Sequence, residues 1–305
     1  MSSYWIDAIS FIAIFIALTG VLHLQSSIGG ITNFGIVGFY GLAMYMYIIL
    51  NVTLGLAPLW SLLIVIGTVF VVSLVLGRAI LNLGPQSILV ATLAFATIIR
   101  QLVTVLEPIT GGAKGLGTVK MPWDFEKTAD EKILFMGVLI VLAAILLLYA
   151  AKIKKTPYGR LMLSIKDNEP LSASLGKSTL NHKVIYFAFT CAIIGLFGAL
   201  TAPVYTYIFP GHILADVTFV VWIAMLVGGK MSVWGAVVGV AATMLLFDFG
   251  IESVLSAFKV RMGPEFSSMY PNIKLALFGA MLIAIFMFRP NGIVAKSKRK
   301  GAHTK

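Results

Sequence analysis

The chain has 305 residues, 59% of them hydrophobic and only 11% charged. A water-soluble domain carries about 25% charged residues, so a soluble globule of this length is excluded for want of polar surface. The net charge of +11 does not argue for nucleic acid, because the cations are divided among loops and a tail rather than drawn into a stripe with interleaved aromatics.

The apolar residues come in runs of about twenty, the length a helix rising about 1.5 Å per residue needs to cross a hydrocarbon core roughly 30 Å thick. In chain order, windows of about nineteen residues predict spans at 5–22, 34–51, 58–77, 85–106, 132–151, 181–200, 214–228, 233–250 and 272–288. This is an all-α polytopic membrane protein of about 8–10 transmembrane helices. The first run, Ile6 to Leu22, has no basic region before it and no small-residue cleavage site, and is read as a retained span, not a signal peptide. The spans break where Gly, Pro and Asn gather, at Gly29-Gly30, Ala57-Pro58, Gly84-Pro85, Thr110-Gly111-Gly112, Pro210-Gly211 and Gly228-Gly229. The single cysteine, Cys191, lies inside an apolar run and reads as a small buried hydrophobe.

Between the fifth and sixth spans the composition changes. Lys152 to Lys183 holds seven cations in KIKKTPYGRLMLSIKDNEPLSASLGKSTLNHK. Basic residues in short loops mark the cytoplasmic side. With this segment inside, the N-terminus is outside and the C-terminus, with Arg289, Lys296, Lys298, Arg299, Lys300 and Lys305, is inside. That places fifteen cations in the cytoplasm and seven outside, with Arg100 inside a span. Pro157 can open a helix, Leu161, Ile165, Leu171 and Leu175 recur at roughly helical spacing, and Gly176 can close it. Residues 157–177 are therefore expected to form an amphipathic helical lever, and 296–305 a basic tail following a single transmembrane domain over 1–295.

GRLMLSIKDNEPLSASLGKS resembles the cytoplasmic coupling segment of the permeases of branched-chain amino-acid type ABC importers. Gly159, Arg160, Ile165, Glu169, Leu175 and Gly176 fit its usual form, with Lys166 in its basic helix, whereas Pro170, Leu171 and Ser172 depart from its small residues. Further stretches follow in the family's order: LHLQSSIGGITNFGIVGFYGLAMYM at 22–46, ATLAFATIIRQL at 91–102, TGGAKGL at 110–116, MLVGGKMSVWGAVVGVA at 225–241 and FRPNGIV at 288–294. The resemblance implies a type II-like ABC importer permease fold and transport of branched-chain or other small amino acids, or related amides such as urea. It implies as partners a second permease subunit, most simply in a heterodimer, two cytoplasmic ATPases and an extracytoplasmic binding protein. It places the chain in the inner membrane among lipid, with Arg160, Lys166, Glu169, Leu175 and Gly176 in ATPase coupling.

The residues suggest no chemistry of the chain's own. The nearest approach to a phosphate-cradling G-x-x-x-x-G-K-[ST] loop is Gly176-Lys177-Ser178, and Leu171 stands where its first glycine belongs. No cofactor is expected in this chain, ATP and Mg being left to the partner ATPases. No metal site is expected either, since His23, His182, His212 and His303 are far apart in sequence. Candidates for a solute path are Asn33, Phe34, Tyr40, Thr92, Phe95, Arg100 and Asp216, the last two because charge near membrane depth is expensive. Thr97 and Gln101 offer further hydrogen bonds. Thr92 and Thr97 can equally bond their own helix backbones. A sugar or nucleoside ABC permease and an ion- or proton-coupled secondary transporter stand as alternatives. The second calls for acidic or His residues deep in the spans, of which there are few.

Overall fold

The computed structural model describes residues 3–117, 129–205, 207–229 and 232–244, with the isolated positions 276, 287 and 294. The expected span 272–288, the later part of 233–250 and the tail 296–305 lie outside them. Among the described residues six helices are long and apolar enough to cross a membrane. They are α1 (Ser3–His23, continued by a π-helical turn Leu24–Ile28), α2 (Ile36–Ile48, continued by a π-helical turn Ile49–Thr53), α3 (Pro58–Ile80), α4 (Pro85–Val105), α6 (Ala129–Ile153) and α9 (Thr179–Tyr205). Three shorter helices lie between them: α5 (Glu107–Thr110), α7 (Pro157–Asp167) and α8 (Glu169–Ser174). Two more short apolar helices follow, α10 (Ala215–Gly228) and α11 (Gly235–Met244).

Two compact units make up the chain, Met1–Trp222 and Ile223–Lys305. In the first, α9 is the most buried of the long helices and packs against α1, α2 and α3, while α3, α4 and α6 turn much of their surface outward. Small residues on α9 allow this: Gly195 meets the Val69 side chain of α3, and Gly198 lies against the Tyr40 carbonyl of α2. Close backbone approach is the usual way helices gain contact where lipid is as apolar as their own side chains. In the second unit, Gly239 lies on the Ala224 carbonyl and Gly228 on that of Gly235, giving another close pair.

The two ends of the first unit are tied separately. At one end Lys132 pairs with Asp7 at 3.3 Å, and a two-stranded antiparallel ribbon joins β1 (Leu116–Gly117) to β2 (Tyr207–Ile208). At the other, Arg78 donates to Asn181 Oδ1 at 2.8 Å and Lys166 donates to the Ser27 carbonyl at 2.8 Å. The segments expected on the cytoplasmic side thus meet at one end of this unit.

Several boundaries depart from expectation, α9 for one running to Tyr205 instead of ending at 200, and two of them shape the connection between α1 and α2. Helix α1 runs on to Ile28 instead of ending at 22, because a π-helical turn absorbs Gln25, Ser26 and Ser27 as buried residues. Helix α2 starts at Ile36, not at 34, because Asn33 and Phe34 belong to a non-helical connection.

Candidate functional site

The connection over residues 29–35 is non-helical, yet Ile31, Asn33 and Gly35 are buried. Irregular backbone at membrane depth is tolerated only where protein or a water-filled cavity satisfies it, and here side chains of α4 and α10 and the Asn33 side chain itself do so. Asn33 Nδ2 donates to Gln25 Oε1 at 3.0 Å, and its Oδ1 accepts from the Gly35 amide at 2.8 Å. The Asn33 carbonyl accepts from Trp222 Nε1 of α10 at 3.0 Å. Thr92 of α4 accepts from the Phe34 amide at 3.0 Å, and Thr218 of α10 from the Val37 amide at 3.1 Å. Gln25 Nε2 in turn donates to Thr190 Oγ1 of α9 at 2.9 Å and to Cys191 Sγ at 3.5 Å.

Aromatic rings close around this polar brace. Phe34 stacks on Trp222 with ring centroids 4.7 Å apart, and Phe95 meets Phe39 at 4.6 Å. Gly35 lies on the Thr92 carbonyl so closely that an added Cβ would strike it. Of the sequence candidates, then, Asn33, Phe34 and Thr92 come together in one brace, Phe95 packs beside α2, and Tyr40 is buried in α2. Thr92 and Thr97 both also bond their own helix, to Leu89 and Ala94 carbonyls at 3.0 and 2.7 Å. Arg100 and Asp216 are exposed and stand apart from the brace. Gln25 and Trp222 are members that sequence reading missed. A glutamine in an otherwise apolar run was the available signal.

The charged segment builds a second constellation. Thr156 caps α7, its hydroxyl accepting from the Gly159 amide at 3.1 Å, with Pro157 in the first turn. Gly159 presses on the Ile153 carbonyl, where any side chain would collide, and Met162 and Ile165 are buried. The single lever expected over 157–177 is in fact two helices. Asn168 interrupts it in extended backbone and caps α8 through the Leu171 amide at 3.0 Å. Pro170 explains the break: in a continuous helix its ring would meet the carbonyl of Lys166 and supply no amide in return. The rotation this introduces also overturns the expected apolar stripe. Ile165 is buried, but Leu171 and Leu175 are 58% and 71% exposed, and Ser172 takes the inward position.

Glu169 pairs with Lys183 of α9 at 2.8 Å. Arg160 donates to the Lys155 carbonyl at 3.0 Å, and Gly176 ends the segment at φ +78°, the left-handed turn expected of it. Tyr158 reaches the His182 carbonyl at 3.3 Å, and burial raises its phenol pKa, helped by Tyr149. Lys166 lies over Gly30 while donating to Ser27. Helix α7 therefore rests directly on the turn whose next link is the Gln25–Asn33 brace.

A third cluster lies at the opposite end of this unit. The His212 ring stacks on Tyr205 at 4.0 Å and tilts against Phe209 at 4.3 Å. Its Nδ1 is buried without a hydrogen-bond partner, and desolvation lowers the pKa of the ring. Nearby, the Tyr207 hydroxyl donates to the Lys114 carbonyl.

Apolar helices packed through glycines, a braced non-helical segment within the bundle and an anchored cytoplasmic-type helix pair define a multi-pass membrane permease. Residues 6–286 match the family of the branched-chain amino acid transport system / permease component, and the chain belongs to that family. It is 24% identical over 322 aligned positions to the high-affinity branched-chain amino acid transport system permease protein LivM of Escherichia coli (strain K12), covering 96% of this chain and 70% of that one. The Salmonella typhimurium protein of the same description is also 24% identical with the same coverage. A probable branched-chain amino acid transport permease protein LivM of Methanocaldococcus jannaschii is 23% identical over 52% of this chain and 46% of its own length. No solved structure matches the chain significantly.

Proposed function

We propose that the chain is the membrane subunit of an ATP-driven importer of branched-chain or other small amino acids. It works with a second permease subunit, two cytoplasmic ABC ATPases that bind the ATP and Mg, and an extracytoplasmic binding protein. The membrane is the inner (plasma) membrane, with the N-terminus outside and the C-terminus in the cytoplasm.

The observation that carries this reading is the pair α7–α8. Its first helix is seated on the bundle through Gly159, Met162, Ile165 and Lys166, and its second, with the residue that caps its end, holds Leu171 and Leu175 out in the open. Closure of an ATPase dimer against such a tip is transmitted by a rigid base, which a floppy loop would absorb. The base touches the Ser27 turn, so displacement of α7 reaches the connection over residues 29–35 without an intervening flexible segment. The substrate class follows the names of the relatives.

The test is copurification of the chain with the ATPases encoded beside it, followed by uptake of labelled leucine, valine and urea into proteoliposomes containing the binding protein. ATP-dependent uptake that disappears with Glu169→Arg plus Gly176→Pro, in protein that still folds, supports the importer. Uptake driven by an ion gradient with no ATPase present refutes it.

A further inference from the structure

The outward faces of the long helices differ in chemistry. On α3 that face carries Leu59, Trp60, Leu63, Ile64, Val71 and Val75, and on α6 it carries Ile133, Leu134, Ile140, Val141, Ile145 and Leu148. Both suit hydrocarbon. Helix α4 buries Ile88, Thr92, Ala96, Ile99 and Val103 against the bundle, and the rest of its surface exposes Gln86, Thr97, Arg100 and Gln101 among Val90, Ala94, Ile98, Leu102 and Val105. At 100° per residue Gln101 and Thr97 lie nearly opposite the buried row, with Arg100 on their flank. Among the described residues Arg100 takes no part in either ion pair. Its position five residues before the end of α4 puts its Cα roughly 7 Å along the helix from that end. A glutamine turned to lipid would go unsatisfied, and the shorter Gln101 side chain cannot reach the interface as a long arginine can.

We propose that the outer face of α4 borders the water-filled solute route, and that Arg100 receives the carboxylate of the passing amino acid. The planar guanidinium fork matches a carboxylate bidentately, and Gln101 and Thr97 line the way inward from it. The buried Asn33–Thr92 brace lies on the other side of the same helix and holds α4 in place. This inference rests on the transport reading above for its substrate.

The experiment uses the assembled transporter in proteoliposomes, in a Cys191→Ser background with single cysteines at Thr97, Gln101, Leu63 or Val71. A membrane-impermeant methanethiosulfonate reagent is expected to modify Thr97→Cys and Gln101→Cys at least tenfold faster than Leu63→Cys and Val71→Cys. Leucine is expected to slow modification at Thr97→Cys, leucinamide not to. Adding Arg100→Met is expected to abolish leucine protection, and Arg100→Lys to restore part of it. Equal, slow modification of α3 and α4 overturns the route, because the α4 face is then covered by lipid or another helix. Modification that leucine does not slow, or slows equally with Arg100→Met, overturns the carboxylate role. The labelling needs no ATP, so an importer that proves not to be ATP-driven leaves these outcomes readable.

Discussion

Helices α7 and α8 adjoin in sequence, yet one is a base and the other a tip. Helix α7 has a capped start, a glycine pressed on the preceding helix end, two buried apolar side chains and a lysine fastened to the α1 turn. Helix α8 has six residues, one buried serine and one leucine in the open, with the exposed Leu175 just beyond its end, and is tied back by the Glu169–Lys183 pair and by the Ser172 hydroxyl on the Asn168 carbonyl at 3.0 Å. In the importer proposed above, stability and partner recognition divide between two halves of one charged segment. Substitutions in the base are expected to act on folding, and those at the tip on assembly.

The base should be the more fragile half. Gly159→Ala places a Cβ on the Ile153 carbonyl, and the overpacking is expected to cost about 3 kcal/mol, read as a lower Tm of the purified protein in detergent. An unchanged Tm would mean that α7 is not seated as described. Lys166→Met removes the ammonium that bonds the Ser27 carbonyl. A charged bond is worth about 1.5 to 3 kcal/mol when buried, and with the lysine largely exposed about 1 kcal/mol is expected. Its sharper effect is on coupling. ATPase copurification should persist while uptake per ATP hydrolysed falls severalfold, and loss of both together would place Lys166 in the docking surface instead.

Much of the charged segment was legible in the chain itself. Pro157 opening a helix and Gly176 closing one are backbone rules that hold whatever surrounds them. The break at Asn168 was also written locally, since Asn followed two residues later by Pro is a helix start inside a helix pattern. The periodicity of Leu161, Ile165, Leu171 and Leu175 concealed it, because spacing counts positions and not the turn that intervenes. Less of the brace was accessible. Asn33, Phe34 and Thr92 stood out as polar or motif residues in apolar surroundings. Gln25, however, bonds Thr190, 165 positions away, and Trp222 bonds Asn33 across 189, pairings that no local pattern specifies.

Toward the tip the expected effects on stability diminish. Asn168→Ala removes the cap on the Leu171 amide, at about 1 kcal/mol, and is expected to fray α8 alone. Hydrogen exchange of the Leu171 and Ser172 amides should rise while those of α7 stay protected; exchange rising equally in both would mean that the pair is one cooperative unit and that the division into base and tip fails. The double substitution Leu171→Asp and Leu175→Asp is the smallest of all by this measure. Both side chains lie mostly in the open, and exposed positions of this kind stay within about 0.5 kcal/mol, so Tm should not move. Copurification with the ATPases should nevertheless be lost, because a few residues desolvated on docking carry most of an interface's energy and a carboxylate in place of either leucine would be desolvated without a partner. A Tm that falls with the double change would show the leucines packed on this chain's own surface, making α8 an extension of the base. An unchanged Tm with intact copurification would move the ATPase contact to another part of the cytoplasmic surface and leave α8 as a connector.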